Sequence, residues 1–203
     1  MIVYILGGDV ENPESRIYAC AKVSYGSNQI VAPTDVERVR AFIKARIKEG
    51  HESILEHCSL TFKIVGISRA CSHQLVRHRL ASYTQESQRY VEMDSLDVVC
   101  PKSIEDSFLK DYWDSIIVLL EEAYRRFSDN GIPIEDARYI LPNATFTTIA
   151  VTMNFRELRH FFSLRCDRHA QWEIRELANK MLKLAYKIAP SVFQDLIERY
   201  VIE

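Results

Sequence analysis

The sequence predicts an α+β fold, a small mixed or antiparallel sheet flanked by long helices, within a single domain spanning residues 1–203. Three observations carry that expectation. Residues 103–129 and 174–188 repeat apolar side chains at three- and four-residue steps, the period of a helix with one buried face. Residues 2–6, 60–64 and 145–153 are short and apolar, alternating or rich in β-branched side chains, as strands are. With six glycines and no Gly-x-Gly-x-x-Gly, the chain lacks the phosphate cradle of a dinucleotide-binding parallel sheet.

In chain order, residues 2–6 form a first strand stopped by Gly7-Gly8. A helix starting near Pro13 runs through Ile17, Ala19, Ala21 and Val23 until Gly26, and residues 24–28 make a polar connector. Thr34 and Glu37 stand at capping-box spacing before a helix that buries Val36, Val39, Phe42, Ile43 and Ile47 and stops at Gly50. Residues 50–57 hold two histidines and two carboxylates, either an acid–base cluster or a polar turn. After the strand at 60–64, residues 67–76 read as a short helix that delivers Gln74 and Arg77, with His73 on its surface.

Residues 98–100 are a weak strand candidate closed by Pro101. The helix at 103–129, with its 27 residues, would reach about 40 Å, and Trp113, Ile117 and Tyr124 widen its apolar face enough to pack on another subunit. Residues 135–142 make a short helix, and 145–153 a strand. Asn154 caps the next helix, with Glu157 at the box position, Leu158, Phe161 and Phe162 on its core face, and Arg156, Arg159 and His160 on the other side. The last long helix is broken by Pro190, and residues 193–201 add a final apolar-periodic stretch.

The totals narrow the class. At 203 residues, with 47% hydrophobic and 27% charged side chains, the chain reads as an ordinary globular protein. Its 26 basic and 28 acidic side chains leave a net charge of −2, so no nucleic-acid partner is expected. No apolar run has membrane-spanning length and Met1-Ile2-Val3-Tyr4 lacks a basic leader, so no membrane partner is expected and the cytoplasm is. Five cysteines without a Cys-x-x-Cys pair read as free thiols of a reducing compartment. The six histidines stand at no familiar zinc spacing, and no metal is expected.

The chemistry concentrates in residues 77–90, Arg-His-Arg-Leu-Ala-Ser-Tyr-Thr-Gln-Glu-Ser-Gln-Arg-Tyr. Arginine forks suit carboxylates and phosphates, hydroxyls complete a phosphate pocket, and tyrosine rings stack on flat heterocycles. The stretch therefore points to a nucleotide. A solvated loop is the plainer reading, but it does not account for Leu80, Tyr83 and Tyr90 among the charges.

Arg77-His78-Arg79, seven residues, then Ser87 resembles the signature of the flavin-dependent thymidylate synthases. Residues 50–57 resemble the Gly-His-x-Ser/Thr-x-x-Glu-His segment of that family, and residues 164–174 its Leu-Arg-x-x-x-His-Ala-Gln-Trp-Glu-Ile segment. Ala137-Arg138 followed by Leu141-Pro142 resembles a fourth segment. Thr84 and Gln85 depart from the Asn and Glu of some members, yet keep hydrogen-bonding capacity.

The resemblance implies reductive methylation of dUMP to dTMP, with methylenetetrahydrofolate as carbon donor and NADPH-reduced FAD as hydride source. It implies one catalytic domain and a homotetramer with active sites at subunit interfaces. Carried over by position, the dUMP contacts are Gln74, Arg77, Gln85, Glu86, Ser87, Gln88, Arg89, Arg138 and Arg165. The FAD contacts are His51, Ser53, Glu56, Arg77, His78, Arg79, Gln85, Asn154, Arg156, His160 and His169. The catalytic assignments are Arg165, Ser87 and His51, with Ser87 better explained by substrate positioning than by nucleophilic attack. Among the thiols only Cys166, flanked by Arg165 and Arg168, stands in a setting that would favour a thiolate. A nucleotide- or RNA-binding module without chemistry is the alternative, using the same stretch as a stacking platform.

Overall fold

Alternation of buried and exposed side chains builds the sheet. The computed structural model describes residues 1–26 and 34–201, so the connector expected at 24–28 lies partly outside the described residues. Strands β1 (Ile2–Gly8), β2 (Ser59–Ser68), β3 (Ala81–Gln85) and β4 (Phe146–Asn154) form one antiparallel sheet in the order β1-β2-β4-β3. In β4 every second residue from Thr147 to Met153 is buried, and in β2 Leu60, Phe62 and Ile64 are. The Thr61 and Thr152 hydroxyls meet at 2.9 Å across β2 and β4. Gly8 ends β1 at φ +108, where a Cβ would lie 2.4 Å from the Ser59 carbonyl oxygen, so no other residue fits without displacing β2.

By its contacts the chain forms two compact units, the first comprising Met1–Ile2, Ile64–Gln74 and Thr84–Ile149, the second Val3–Lys63, Leu75–Tyr83 and Ala150–Glu203. Four expectations change in the first unit. Helix α3 (Arg69–Leu75) starts later than expected, because β2 continues through Ser68. The strand expected at 98–100 is reduced to one antiparallel bridge, Val98 to Thr145. The 27-residue helix expected at 103–129 is divided into α4 (Lys102–Glu105) and α5 (Lys110–Asp129). The Ser107 hydroxyl donates to the Ile104 carbonyl at 2.8 Å and accepts the Leu109 N–H at 3.1 Å, taking backbone groups that a continuous helix would use. The short helix expected at 135–142 is α6 (Ile134–Ala137) followed by the 3₁₀ turn Arg138–Ile140.

The second unit holds α1 (Pro13–Val23), α2 (Val36–Lys48), the 3₁₀ turn Glu52–His57, α7 (Phe155–Arg165), α8 (Trp172–Ile188) and α9 (Pro190–Tyr200). Asp35, not Thr34, caps α2: extended at φ −74, ψ 97, it accepts the Arg38 N–H at 3.1 Å. Asn154 caps α7 as expected, accepting the Glu157 N–H at 2.8 Å. Pro190, expected as a breaker, also opens α9, where its missing N–H costs nothing. The core gathers where Phe155, Phe162 and Phe193 meet at centroid distances of 5.4 and 5.8 Å, with Leu177, Met181 and Leu182 fully buried. Burying each such side chain contributes roughly 1.5–3 kcal/mol.

Candidate functional site

The assigned residues divide between the two units. In the first, Gln74 is half-buried on α3, while Gln85 ends β3 and leads into Glu86, Ser87, Gln88 and Arg89. Gln85 Nε2 donates to Ser72 Oγ at 2.9 Å and to Thr147 Oγ1 at 3.1 Å. Its amide is therefore held in place, and β3 is a strand within a stretch whose composition reads as a loop. Ser87 Oγ accepts the Arg89 N–H at 3.2 Å. Arg89 Nε pairs with Glu135 Oε2 at 2.9 Å, and Arg138 Nε donates to the Glu135 carbonyl at 3.0 Å, so two assigned arginines converge on one residue.

In the second unit, Glu56, Asn154, Arg156 and His160 line one cavity of about 670 Å³, together with Glu52, Glu157 and Arg159. Arg77, His78, Arg79, His160 and Arg165 line another of about 300 Å³, again with Glu157. His51, Ser53 and His169 are exposed and line neither. His51 opens the 3₁₀ turn Glu52–His57, and His169 Nδ1 lies 2.7 Å from Asp167 Oδ1. Glu56 is paired with Arg156.

His78 is 6% exposed, the most enclosed of the assigned residues. Burial, then the charges of Arg165 and His160, lower its pKa to about 4, so the imidazole is neutral at pH 7. Tyr83 Oη lies 2.8 Å from the His78 carbonyl oxygen and 2.9 Å from that of Leu75, holding the turn that presents Arg77 and Arg79.

Two expectations are corrected here. Arg159, expected with Arg156 and His160 on the side of α7 away from its core face, is 7% exposed. Its guanidinium reaches Asp195, Glu52 and the Val192 carbonyl, so α7 buries a charge as well as its phenylalanines. Cys166 is buried, and burial pushes its thiol up to about 12; the neighbouring arginines do not make it a thiolate.

The family model described as thymidylate synthase complementing protein matches residues 6–191. The chain is 47% identical over 190 residues to the flavin-dependent thymidylate synthase of Geobacter sulfurreducens, covering 91% of this chain and 82% of that one. It is 41% identical over 204 residues to the enzyme of the same name from Clostridium tetani, covering 90% and 82%, and 44% identical over 194 residues to that of Pyrococcus furiosus, covering 90% and 78%. The chain belongs to the flavin-dependent thymidylate synthase family. Family membership makes it an enzyme, and the RNA-binding module is not favoured.

Three groups beside the assigned residues of this family member were not assigned from the sequence. Arg69 Nη1 donates to the Glu86 carbonyl at 3.1 Å, and burial followed by the Arg138 charge lowers its pKa. Glu157 was legible only as part of a helix cap, yet it lines both of the cavities described above. Asp195, on α9, anchors Arg159 from 36 residues away. For Arg69 alone a nearby clue existed, since it stands at the start of the segment carrying Gln74 and Arg77.

Proposed function

We propose that this chain catalyses the reductive methylation of dUMP to dTMP, taking the carbon from methylenetetrahydrofolate and reducing equivalents from NADPH, with FAD as cofactor. The observation that supports this most is the lining of the cavity of about 300 Å³ in the second unit, where Arg77, Arg79 and Arg165 accompany the imidazoles of His78 and His160. Fixed cations suit a ligand that is anionic, flat and able to accumulate charge. The donor set fits FAD, whose diphosphate and ring carbonyls are acceptors: Arg77, Arg79, Arg156, Asn154 and His160 all carry N–H groups. When bound, reduced FAD supplies the hydride.

In this reading His51, Ser53, Glu56, Arg77, His78, Arg79, Gln85, Asn154, Arg156, His160 and His169 hold the flavin. Gln74, Arg77, Gln85, Glu86, Ser87, Gln88, Arg89 and Arg138 hold dUMP. The Arg89–Glu135 pair is about half exposed on both sides and contributes little by itself, so a nucleotide phosphate can replace the carboxylate. Arg165, Ser87 and His51 are the residues assigned to the reaction. Arg165 keeps a cation where negative charge gathers on the pyrimidine, which favours the transition state over the neutral ground state.

The same reading makes the whole chain one catalytic domain that acts as a homotetramer with active sites at subunit interfaces. Helix α5 supports assembly: Tyr112, Val118 and Leu119 are each more than 60% exposed, and Phe108, just before it, is 94% exposed. The cytoplasm is the proposed location, supported by the five free cysteines. Among the described residues no helix is long and apolar enough to cross a membrane.

Purified protein is expected to be yellow and to form dTMP from dUMP only when methylenetetrahydrofolate and NADPH are both supplied. Colourless protein that forms no dTMP with added FAD, and binds RNA instead, overturns the proposal.

A further inference from the structure

Glu157 lines the two cavities of the second unit that hold assigned residues of α7, yet it belongs to none of the assigned sets. Its carboxylate is buried, and Oε1 lies 3.3 Å from His78 Nδ1. On the far side of the same ring, Arg165 Nε donates to His78 Nε2 at 3.1 Å. A guanidinium N–H can only donate, so Nε2 must present its lone pair. A neutral imidazole carries one N–H, which is then at Nδ1 and donates to Glu157. Both ring nitrogens are thereby committed, and the order carboxylate, imidazole, guanidinium follows from donor and acceptor chemistry alone.

We propose that Glu157 and His78 are positioning residues for Arg165: the carboxylate selects the Nδ1–H tautomer, and the tautomer holds the guanidinium by its Nε. Both Nη groups of Arg165 are left for the ligand. The inference deepens the reading of Arg165 given above and rests on it.

The surroundings hold the ring in place. The edge of His78 meets Phe161 at a centroid distance of 4.9 Å, and Tyr83 Oη contacts the His78 carbonyl oxygen. The lowered pKa of His78 keeps the second proton off. A doubly protonated ring would turn an N–H toward Arg165 and push the guanidinium away. A ring with its proton at Nε2 would do the same to Arg165 and would also face Glu157 with a lone pair. Only one of the three protonation states suits both neighbours.

Two variants of Glu157 separate hydrogen bonding from packing. Glu157→Gln keeps an acceptor oxygen and is expected to hold kcat within a few-fold of wild type. Glu157→Leu fills similar space without an acceptor, and kcat is expected to fall about 10²-fold, the cost of a misplaced reacting group, while flavin remains bound. Wild-type kcat in Glu157→Leu, or equal losses in both variants, overturns the proposal.

Nitrogen NMR of ¹⁵N-histidine-labelled wild-type protein, with His78 assigned by its absence in His78→Gln, reads the tautomer without relying on catalysis. The Nδ1–H tautomer is expected at pH 7, and an Nε2–H tautomer or a cationic ring overturns the proposal. If Arg165→Ala is inactive while Glu157→Leu is not, the positioning role alone fails. An active Arg165→Ala removes the reading beneath it.

Discussion

Arg159 and Asp195 meet through two parallel bonds, Nη1 to Oδ1 at 2.7 Å and Nη2 to Oδ2 at 2.8 Å, while Arg159 Nε reaches Glu52 Oε1 at 3.2 Å. One buried guanidinium thus ties α7 to α9 and to the 3₁₀ turn that follows His51. Burial pushes the Asp195 carboxyl up, but the Arg159 hydrogen bonds and charge outweigh it, leaving its pKa below the usual carboxylate value. We predict that Asp195→Asn lowers stability by about 1–2 kcal/mol at pH 7, the low end for charged hydrogen bonds because the carboxylate is partly exposed. The wild-type contribution is present above the ordinary carboxylate pKa and is lost as pH falls through the lowered one. Urea titrations at pH 7 and pH 3 should therefore show the two proteins converging in acid; a constant gap would count against the pair.

His78 acts on a different pH window. Its pKa falls from the ordinary 6.5 to about 4 in the folded protein, so between those values the unfolded chain binds a proton that the native state refuses. Stability should be full above pH 6.5 and decline as pH drops toward 4. His78→Gln is expected to flatten that decline, measured by urea midpoints at half-unit steps. The same slope in both proteins would place the titration elsewhere.

Arg165→Ala is predicted to reduce dTMP formation by ~10²–10³-fold, the usual loss when one transition-state donor is removed. Arg165 is only partly buried, so the far-UV circular dichroism and thermal midpoint should stay close to wild type. Steady-state rates of the purified variant check this, and activity within a few-fold of wild type would contradict the assignment.

Cys166→Ser is predicted to keep most activity. A buried thiol pushed up to about 12 is neither accessible nor ionised at pH 7, which disqualifies it as an attacking nucleophile. Mass spectrometry of protein quenched during turnover should find no pyrimidine adduct on Cys166 or Ser87. Finding one would overturn a route without an enzyme nucleophile.

Leu119→Asp is predicted to weaken assembly. Leu119 is 63% exposed on α5, so a charge there costs an isolated chain little, whereas burial between copies would desolvate it. Light scattering after size-exclusion chromatography should report a smaller particle than wild type; an unchanged mass would remove α5 from the interface.

Much of this protein was legible along the chain, for two physical reasons. Helical and strand periods are local, so α2, α7, α8 and β4 follow from the spacing of Val39 and Ile43, of Leu158 and Phe162, of Leu177 and Met181, and of Ile149 and Val151. Ligand chemistry is written in residue types, so the Arg77–Arg79 turn and the Gln171–Ile174 helix start announced the family before any geometry was known. Tertiary structure alone decided the rest, because those features depend on partners distant in sequence or on competing local bonds. Residues 81–85 become a strand because Gln85 and Glu86 find Thr147 and Thr148 beside them. Ser107 divides a helix whose apolar period runs straight through it. Glu157 and His78, 79 residues apart, acquire a shared proton site only where α7 packs beside the Arg77–Arg79 turn. A buried polar group must find its partner wherever the fold supplies one, and no periodicity records that choice.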